Sequence, residues 1–291
     1  MTPALRRMSR LTLLAFLLLA MTAFATVLAV FDLRARSAEV AFGAASTTQH
    51  RIDVELELFE MDPVRLEATV RVTVLPGADM RGIRNSAPNK DVLLTVRVGD
   101  VVQDLVFPAN QRMATTDLKV DLDEGSVLRY PFDHYETVMR WRAFEGTPAQ
   151  RGPEIPVRFR TYETSPTFDA HMREAKQASP GDVSVALDAV RPVVIRWFAS
   201  AIYVSMIAVA TSALTIGGLM FTGRRRVEAT LMGALCAMVF AIPVMRNTLP
   251  GGPPLGVFAD LLVFVWAEVA VVIGLCLGVA SWARDGQRPG P

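Results

Sequence analysis

The run Arg129-Tyr130-Pro131-Phe132-Asp133-His134-Tyr135 is the least generic stretch of the chain. It places a carboxylate, Asp133, beside an imidazole, His134, and such a pair can carry general acid–base chemistry. A catalytic site also needs a nucleophile or a third partner that orients the base. The sequence offers neither at a recognisable spacing, so it predicts a protein that is not an enzyme.

The same run has the features of a structured turn. Pro131 removes a backbone donor and holds Tyr130 in an extended conformation. Asp133 can cap the turn with its carboxylate, and Phe132 and Tyr135 can be buried as an aromatic plug. These five residues form a candidate coupling loop, which rests on a neighbouring membrane domain if the turn has a function beyond structure.

Metal and cofactor chemistry is not indicated. Three imidazoles could in principle bind zinc, and the chain has three histidines, His50, His134 and His171. Their spacing has no ligand signature. The sequence therefore predicts no metal site and no cofactor.

Glu268 is the charge whose position is most unusual. It lies ten residues into the apolar run Phe258 to Trp282, roughly 15 Å along a helix at 1.5 Å per residue. Carboxylates within a membrane are costly and are functional hypotheses by default. Asp260 lies near the same helix face, and Arg246 and Arg196 are the possible partners of Glu268. A buried ion pair that joins the helices and a path for protons or ions both remain open.

A second polar feature lies between the last two apolar runs. The segment from Arg246 to Gly256 is rich in proline and glycine, which preclude a helix and favour a compact turn. Arg246 and Asp260 could close this turn by pairing across its ends. We expect the turn to lie where the coupling loop rests.

Four apolar runs are long enough to cross a hydrocarbon core roughly 30 Å thick, which takes about 20 residues. They are Leu11 to Val30, Val193 to Phe221, Ala229 to Met245 and Phe258 to Trp282. The chain of 291 residues is 51% hydrophobic, which suits one soluble domain and several spans. The lipid bilayer is therefore the first predicted partner.

Basic residues in the short flanks predict the orientation. Arginines precede the first run, fill the loop at 224–226 and lie in the tail. This distribution predicts a multi-pass plasma-membrane protein with cytoplasmic termini and residues about 32–191 outside. The first run also fits a cleaved signal peptide, with Ala23-Phe24-Ala25 as the site, and either interpretation exports the next segment.

The exported segment alternates apolar and polar residues, which is typical of strands with one buried face. About eight short strands predict an extracytoplasmic antiparallel β-sandwich that, with four transmembrane α-helices, defines the fold class. Residues 163–181 are mixed and predict a short helix or loop. The predicted domains are a transmembrane anchor (1–31), a tether (32–49), the β-sandwich (50–191), three helices (192–283) and a cytoplasmic tail (284–291).

Charge and cysteine usage limit the other partners. Acidic residues outnumber basic ones in segment 31–191, and the chain has no long basic tract, so nucleic acid is not expected. Only three of the 30 basic residues are lysine, which is typical of a GC-rich, bacterial source. Both cysteines lie in predicted spans, so the outer domain depends on its core alone. A second copy of the chain or an envelope protein is the expected protein partner.

Two motifs together resemble the domain-of-unknown-function 4436 family of integral membrane proteins. They are Tyr130-Pro131-Phe132-Asp133-x-Tyr135 in an outer β-domain and the Pro/Gly turn from Arg246 to Asp260. The resemblance would cover nearly the whole chain. It implies the architecture and no activity.

A weaker resemblance concerns pentameric ligand-gated channels, whose outer β-sandwich has a Phe-Pro-Phe-Asp loop on the membrane domain. Residues Tyr130 to Asp133 look similar. Three departures count against it: only three spans follow the outer domain, no cysteines flank the loop, and an extra span precedes the domain.

The sequence as a whole predicts an envelope protein that binds, senses or scaffolds a partner outside the membrane. The alternative is a channel or transporter subunit that has a polar path near Glu268.

Overall fold

The structure, a computed structural model, describes residues 40–45, 47–83, 86–162, 167–175 and 182–285. Twelve strands and three long helices lie in these ranges. The strands are β1 (Val40–Gly43), β2 (Ile52–Asp62), β3 (Glu67–Pro76), β4 (Val92–Val98), β5 (Val101–Phe107), β6 (Thr116–Asp121), β7 (Glu124–Gly125), β8 (His134–Thr147), β9 (Gln150–Glu154), β10 (Val157–Tyr162), β11 (Asp169–Glu174) and β12 (Val183–Val190). The helices are α1 (Val193–Phe221), α2 (Ala229–Asn247) and α3 (Val265–Asp285), the last preceded by a π-helical turn, Asp260–Phe264.

The described strands form two sheets. One has the order β1-β10-β2-β3-β6, and the other has the order β11-β12-β8-β4-β5, with β7 and β9 paired to β8. Alternate residues of each strand are buried in one cluster between the sheets, as in Val54, Leu56 and Val72 of the first sheet and Val96 and Trp141 of the second. Period-two alternation produces this arrangement because successive side chains of a strand point to opposite faces.

Met61-Asp62-Pro63 and Gly99-Asp100 are turn residues between alternating runs, which predicts two hairpins, and the structure confirms both. Strands β2 and β3 pair antiparallel around the turn at Asp62, whose carboxylate accepts hydrogen bonds from the amides of Val64 and Arg65. Strands β4 and β5 pair antiparallel across Gly99-Asp100, where Gly99 has φ +54°. Local turn chemistry is sufficient to define both pairs.

Three expectations about the β-domain were wrong in detail. Residues Val40–Gly43, expected in the tether, form a strand on β10, where Phe42 stacks on Phe159. Residues Asp169–Glu174, expected in a short helix or loop, pair antiparallel with β12. The sandwich is also not purely antiparallel, because β10 pairs parallel with β2. The first and the third depend on pairing between distant segments, which supplies hydrogen bonds that the local sequence does not predict.

The three helices are each long and apolar enough to cross a membrane. They agree with the predicted second, third and fourth spans to within a few residues. The predicted first span, Leu11 to Val30, lies outside the described residues. The predicted tail 284–291 begins inside a helix, since α3 continues to Asp285.

Close helix packing depends on small residues. A Cβ atom built on Gly217 of α1 would lie 2.2 Å from the carbonyl oxygen of Gly274 in α3, and one on Gly274 would lie 2.5 Å from that of Ala213. Glycine at these positions therefore lets the two backbones come into direct contact, as is common between membrane helices. Farther along, the buried hydroxyl of Ser281 donates to the carbonyl oxygen of Met220 at 2.9 Å.

We predict that Gly217→Ala destabilises the helices by about 1–3 kcal/mol, because the added methyl group overlaps the backbone of α3. Gly218→Ala is the matched control: its Cβ would meet no atom within 4 Å, and the change is expected to be neutral or stabilising by up to about 1 kcal/mol. Thermal unfolding of both variants in detergent measures the difference. Equal melting temperatures would show that the contact does not limit packing.

Candidate functional site

The candidate site is the junction where the β-domain meets the helices. Only two residues, Arg191 and Pro192, separate the end of β12 from the start of α1. The coupling loop precedes β8, whose first residues pair with the last residues of β12, from His134 opposite Val190 onward. Sheet register therefore brings the loop to the end of the chain segment that enters the helices.

A buried ion pair occupies the centre of the junction. The side chains of Asp133 and Arg191 are 0% and 2% exposed, and the Nε of Arg191 lies 3.2 and 3.1 Å from the two carboxylate oxygens. The hydroxyl of Tyr135 donates to the same carboxylate at 3.0 Å. Burial and the neighbouring carboxylate both raise the pKa of Tyr135, which keeps the phenol protonated as a donor.

Aromatic rings enclose the Arg191 guanidinium. Its central carbon lies 4.3 Å from the ring centroid of Phe168 and 5.3 Å from that of Tyr130. Cations gain about 2 kcal/mol or more over desolvated rings, which offsets part of the cost of burying the charge. Gly251, with φ +77°, faces the same group: a Cβ there would lie 2.5 Å from Nη1 of Arg191. A side chain at position 251 would therefore collide with the guanidinium.

Tyr130 connects the coupling loop to the turn between α2 and α3. Its hydroxyl donates to the carbonyl oxygen of Pro250 at 2.8 Å, and its ring belongs to the buried cluster of the helices, with Leu249 and Val257. Burial raises the pKa of Tyr130 to about 12, an effect that Arg191 partly opposes. The contact expected between the coupling loop and the Pro/Gly turn is thus present.

The Pro/Gly turn is closed by a second buried ion pair. The Nη2 of Arg246 lies 2.8 Å from Asp260 Oδ2 and also donates to the carbonyl oxygens of Pro253 and Pro254. The hydroxyl of Tyr203, in α1, donates to Asp260 Oδ1 at 3.1 Å. The pairing expected between Arg246 and Asp260 is therefore present, and it connects all three helices.

Three expectations about these side chains were wrong. Phe132 is 64% exposed instead of buried, since Tyr130 and Tyr135 take the two inward positions of the loop. Asp133 does not cap the turn, because its carboxylate pairs with Arg191. Glu268 pairs with neither Arg246 nor Arg196 among the described residues; Arg246 is already held by Asp260, eight residues or roughly 12 Å before Glu268 along the helix.

Glu268 and Arg196, the other two charges singled out in the apolar runs, are not part of the junction network. Glu268 is partly buried, and its Oε2 has no hydrogen-bond partner among the described residues. Arg196, one turn into α1, has a buried Nε that likewise has none in those ranges.

One group of side chains could hold a cation. The Nε2 of His134 lies 2.8 Å from Asp188 Oδ1 and 3.3 Å from Glu136 Oε1, and these ligand atoms all lie within 4.8 Å of one another. The three side chains are exposed or half-exposed and pair with one another. His50 lies elsewhere, 3.5 Å from Glu145. The absence of a metal site thus stays a prediction.

Sequence reasoning missed Arg191 and Tyr203. The sequence does contain a signal for each. Arg191 lies directly before an apolar run and Tyr203 lies inside it, and both side chains need a hydrogen-bond or ionic partner when they are buried. Identifying the partner requires the register of β8 on β12 and the rotation of α1. Neither follows from the spacing of residues in the sequence.

Comparison with known families divides the chain at the junction. The model of the family described as Domain of unknown function (DUF4436) matches residues 42–189, just over half of the chain. A second model, Domain of unknown function (DUF8686), matches residues 191–285. No curated protein gives a significant match.

We predict that Asp133→Asn lowers stability by about 3–5 kcal/mol, because it leaves the Arg191 charge buried and unpaired. The melting temperature of the purified protein is expected to fall by on the order of 10 °C. Asp117→Asn, which removes a carboxylate from the exposed pair with Arg71, is the control and should change it little. A similar small effect at both positions would contradict a dominant role for the buried pair.

We predict that the junction loosens at alkaline pH. The pKa of Tyr130 is raised above the value of about 10 in an unfolded chain, so its contribution is complete below pH 10 and is lost as pH rises toward 12. Tyr130→Phe should lower stability at neutral pH by about 1 kcal/mol, the worth of its hydrogen bond, and flatten the loss between about pH 10 and 12. Melting temperatures of the wild type and Tyr130→Phe across this pH range test the prediction. Profiles of melting temperature against pH that run parallel would contradict it.

Proposed function

We propose that this chain, which belongs to the family described as Domain of unknown function (DUF4436), is a non-enzymatic membrane protein of the cell envelope. The family match covers residues 42–189, so the coupling-loop motif lies inside it, whereas the Pro/Gly turn and the helices, also expected in it, do not. Its β-domain lies outside the membrane and binds, senses or scaffolds a partner there. The helices receive that event through the junction. The observation that carries this proposal is the network of buried polar and ring contacts between the β-domain and the helices, which includes two ion pairs and the Tyr130 hydrogen bond to the turn.

The network supports transmission because it constrains relative position. A buried ion pair adds little net stability over well-packed apolar residues, but it tolerates few geometries. Asp133 fixes Arg191 at the base of α1, while Tyr130 fixes the turn that joins α2 to α3. A displacement of the coupling loop is thus applied to all three helices at once, whereas a flexible linker would absorb it.

Membrane placement is part of the proposal. The three helices can span a bilayer, and the exposed arginines 224–226 lie at the end of α1 opposite the β-domain. Under the positive-inside rule this end is cytoplasmic. With the predicted first span, the protein has four transmembrane helices and both termini in the cytoplasm.

A non-enzymatic role is supported by the state of the polar groups at the junction. Asp133, Arg191, Arg246 and Asp260 are buried and satisfy one another. Groups held in this way are not available to a substrate. Such an arrangement suits a rigid connection between two domains better than an active site, because the reacting groups of an active site need access to substrate and a binding cavity.

One observation favours a second candidate function. Glu268 lies within the apolar part of α3, with a buried Oε2 that has no partner among the described residues. Intramembrane carboxylates of this kind commonly mark proton or ion paths. The alternative is therefore a channel or transporter subunit with a polar path near Glu268.

Hydrogen exchange of the full-length protein in nanodiscs tests transmission. We predict that Asp133→Asn increases amide exchange in the loop at 129–135 and also in the turn at 246–260, because one network holds both. Asp117→Asn, on the outer face of the first sheet, is the control and should leave the turn unchanged. If the change at Asp133 stays within the β-domain, transmission is refuted.

The same preparation separates the two functions. Reconstituted wild-type protein should pass no more protons or monovalent cations than empty vesicles do. A flux that Glu268→Gln abolishes, with an unchanged melting temperature, would replace the binding and sensing role with the transport role.

A further inference from the structure

A cavity of about 300 Å³ opens where the coupling loop meets the first turns of α1. Phe132 lines it from the loop, and Val193, Arg196, Trp197 and Ser200 line it from the helix. The cavity therefore lies outside the buried network but directly against it. Its lining combines one cation with mostly apolar surface.

Arg196 supplies the cation, and none of the described residues pairs with it. Among the described residues it forms no hydrogen bond or ion pair through its side chain, and its Nε is buried. An unsatisfied charged donor costs more than the 1–3 kcal/mol of a neutral one. The hydroxyl of Ser200 does not relieve this, because it donates to the carbonyl oxygen of Arg196 in its own helix. The described residues that line the cavity therefore offer no anion to this cation.

The apolar walls show which medium surrounds the cavity. Phe132 is 64% exposed and Trp197 is 70% exposed, although both are large and hydrophobic. Phe198 is exposed beside them. Aromatic residues, tryptophan above all, are enriched where a membrane meets water. Contact with lipid explains exposures that water would penalise.

The length of α1 places Arg196 at the level of the headgroups. Its 29 residues span about 44 Å at 1.5 Å per residue. A bilayer has a hydrocarbon core of about 30 Å and measures about 40–45 Å with its headgroups. The first turn of α1 therefore lies in the headgroup layer, since about 7 Å of helix extends beyond the core at each end.

We propose that this cavity binds the phosphate of an anionic phospholipid in the outer leaflet. The Arg196 guanidinium pairs with the phosphodiester, which its planar donors match in geometry. Trp197 and Phe132 contact the glycerol and the upper acyl chains. This inference rests on the membrane placement in the proposed function, and it adds a lipid that contacts the coupling loop directly.

The consequence is a lipid-dependent junction. A lipid bound between Phe132 and α1 contacts the loop that supplies Tyr130 and Asp133 to the buried network. The bound lipid therefore stabilises the loop in the position in which the network forms. Loss of the lipid should therefore lower the stability of the junction, although the lipid itself forms none of the hydrogen bonds of the buried network.

The test uses the full-length protein, purified in detergent and exchanged with phosphatidylcholine or phosphatidylglycerol, with native mass spectrometry to count retained lipids. Wild-type protein should retain one phosphatidylglycerol in preference to phosphatidylcholine. Arg196→Met should lower its apparent affinity about fivefold or more, because one interfacial arginine contributes about 1 kcal/mol. Arg196→Lys keeps the charge but loses the planar donors, so its apparent affinity for phosphatidylglycerol should lie between those of the wild type and Arg196→Met.

Arg129→Met is the matched control. Arg129 is exposed in the same loop and lies outside the residues that line the cavity, so its removal changes the net charge equally. Retention in this variant should equal that of the wild type. Equal losses of phosphatidylglycerol from Arg129→Met and Arg196→Met would show that general charge attraction holds the lipid, which would refute the site. Undiminished phosphatidylglycerol retention in a folded Arg196→Met protein would also refute it.

Two further measurements identify the occupant. Inorganic phosphate should compete weakly; if it displaces phosphatidylglycerol at comparable concentration, the site is one for free phosphate and the lipid assignment is wrong. Carbonate extraction of membranes tests the premise separately. Release of the protein overturns the proposed function and this inference together, whereas retention without lipid selectivity overturns this inference alone.

Discussion

The ion pair between Asp133 and Arg191 is the interaction on which the junction depends. It joins the β-domain to the residue that immediately precedes the first helix, with both side chains almost fully buried. Two charges in such a place are costly unless they satisfy each other and gain further contacts. The Tyr135 hydroxyl and the rings of Tyr130 and Phe168 provide those contacts. Removing any member therefore affects groups in both parts of the molecule.

The second ion pair, which lies among the helices, is also buried and also accepts a hydrogen bond from a tyrosine hydroxyl. Arg246 and Asp260 close the Pro/Gly turn, and Tyr203 adds a donor from α1. Tyr130 lies between the two pairs: its ring contacts Arg191, and its hydroxyl donates to the carbonyl oxygen of Pro250 in the turn that the second pair closes. The α3 segment begins with a π-helical turn at Asp260, the kind of irregularity that often marks a functional position in a helix. Polar groups thus replace apolar packing at the point where the two domains have to keep one orientation.

The coupling loop lies between the buried network and the cavity proposed to bind a lipid. Its inward residues enter the buried network, whereas Phe132 points to the cavity beside Arg196. The loop thereby contacts the β-domain, the helices and, by our proposal, the bilayer. Such a position suits a sensor whose response depends on the membrane as well as on an outer partner. Glu268, which lies outside this arrangement, remains the basis of the alternative transport role.

The sequence by itself determined the parts whose signal is local. Alternation predicted most of the strands, long apolar runs predicted the three described helices, and turn residues predicted two hairpins, because each of these depends on neighbouring residues alone. Residue types also indicated the coupling loop and the Pro/Gly turn; the loop lies in the part of the chain matched to the DUF4436 family, and the turn does not. Only the tertiary structure decided the partners. Asp133 meets Arg191 across 58 residues through the register of β8 on β12, and a one-residue slip would turn the carboxylate to the other face. The strand at Val40–Gly43, the exposure of Phe132 and the cavity beside Arg196 likewise depend on packing between distant segments, which local residue types do not encode.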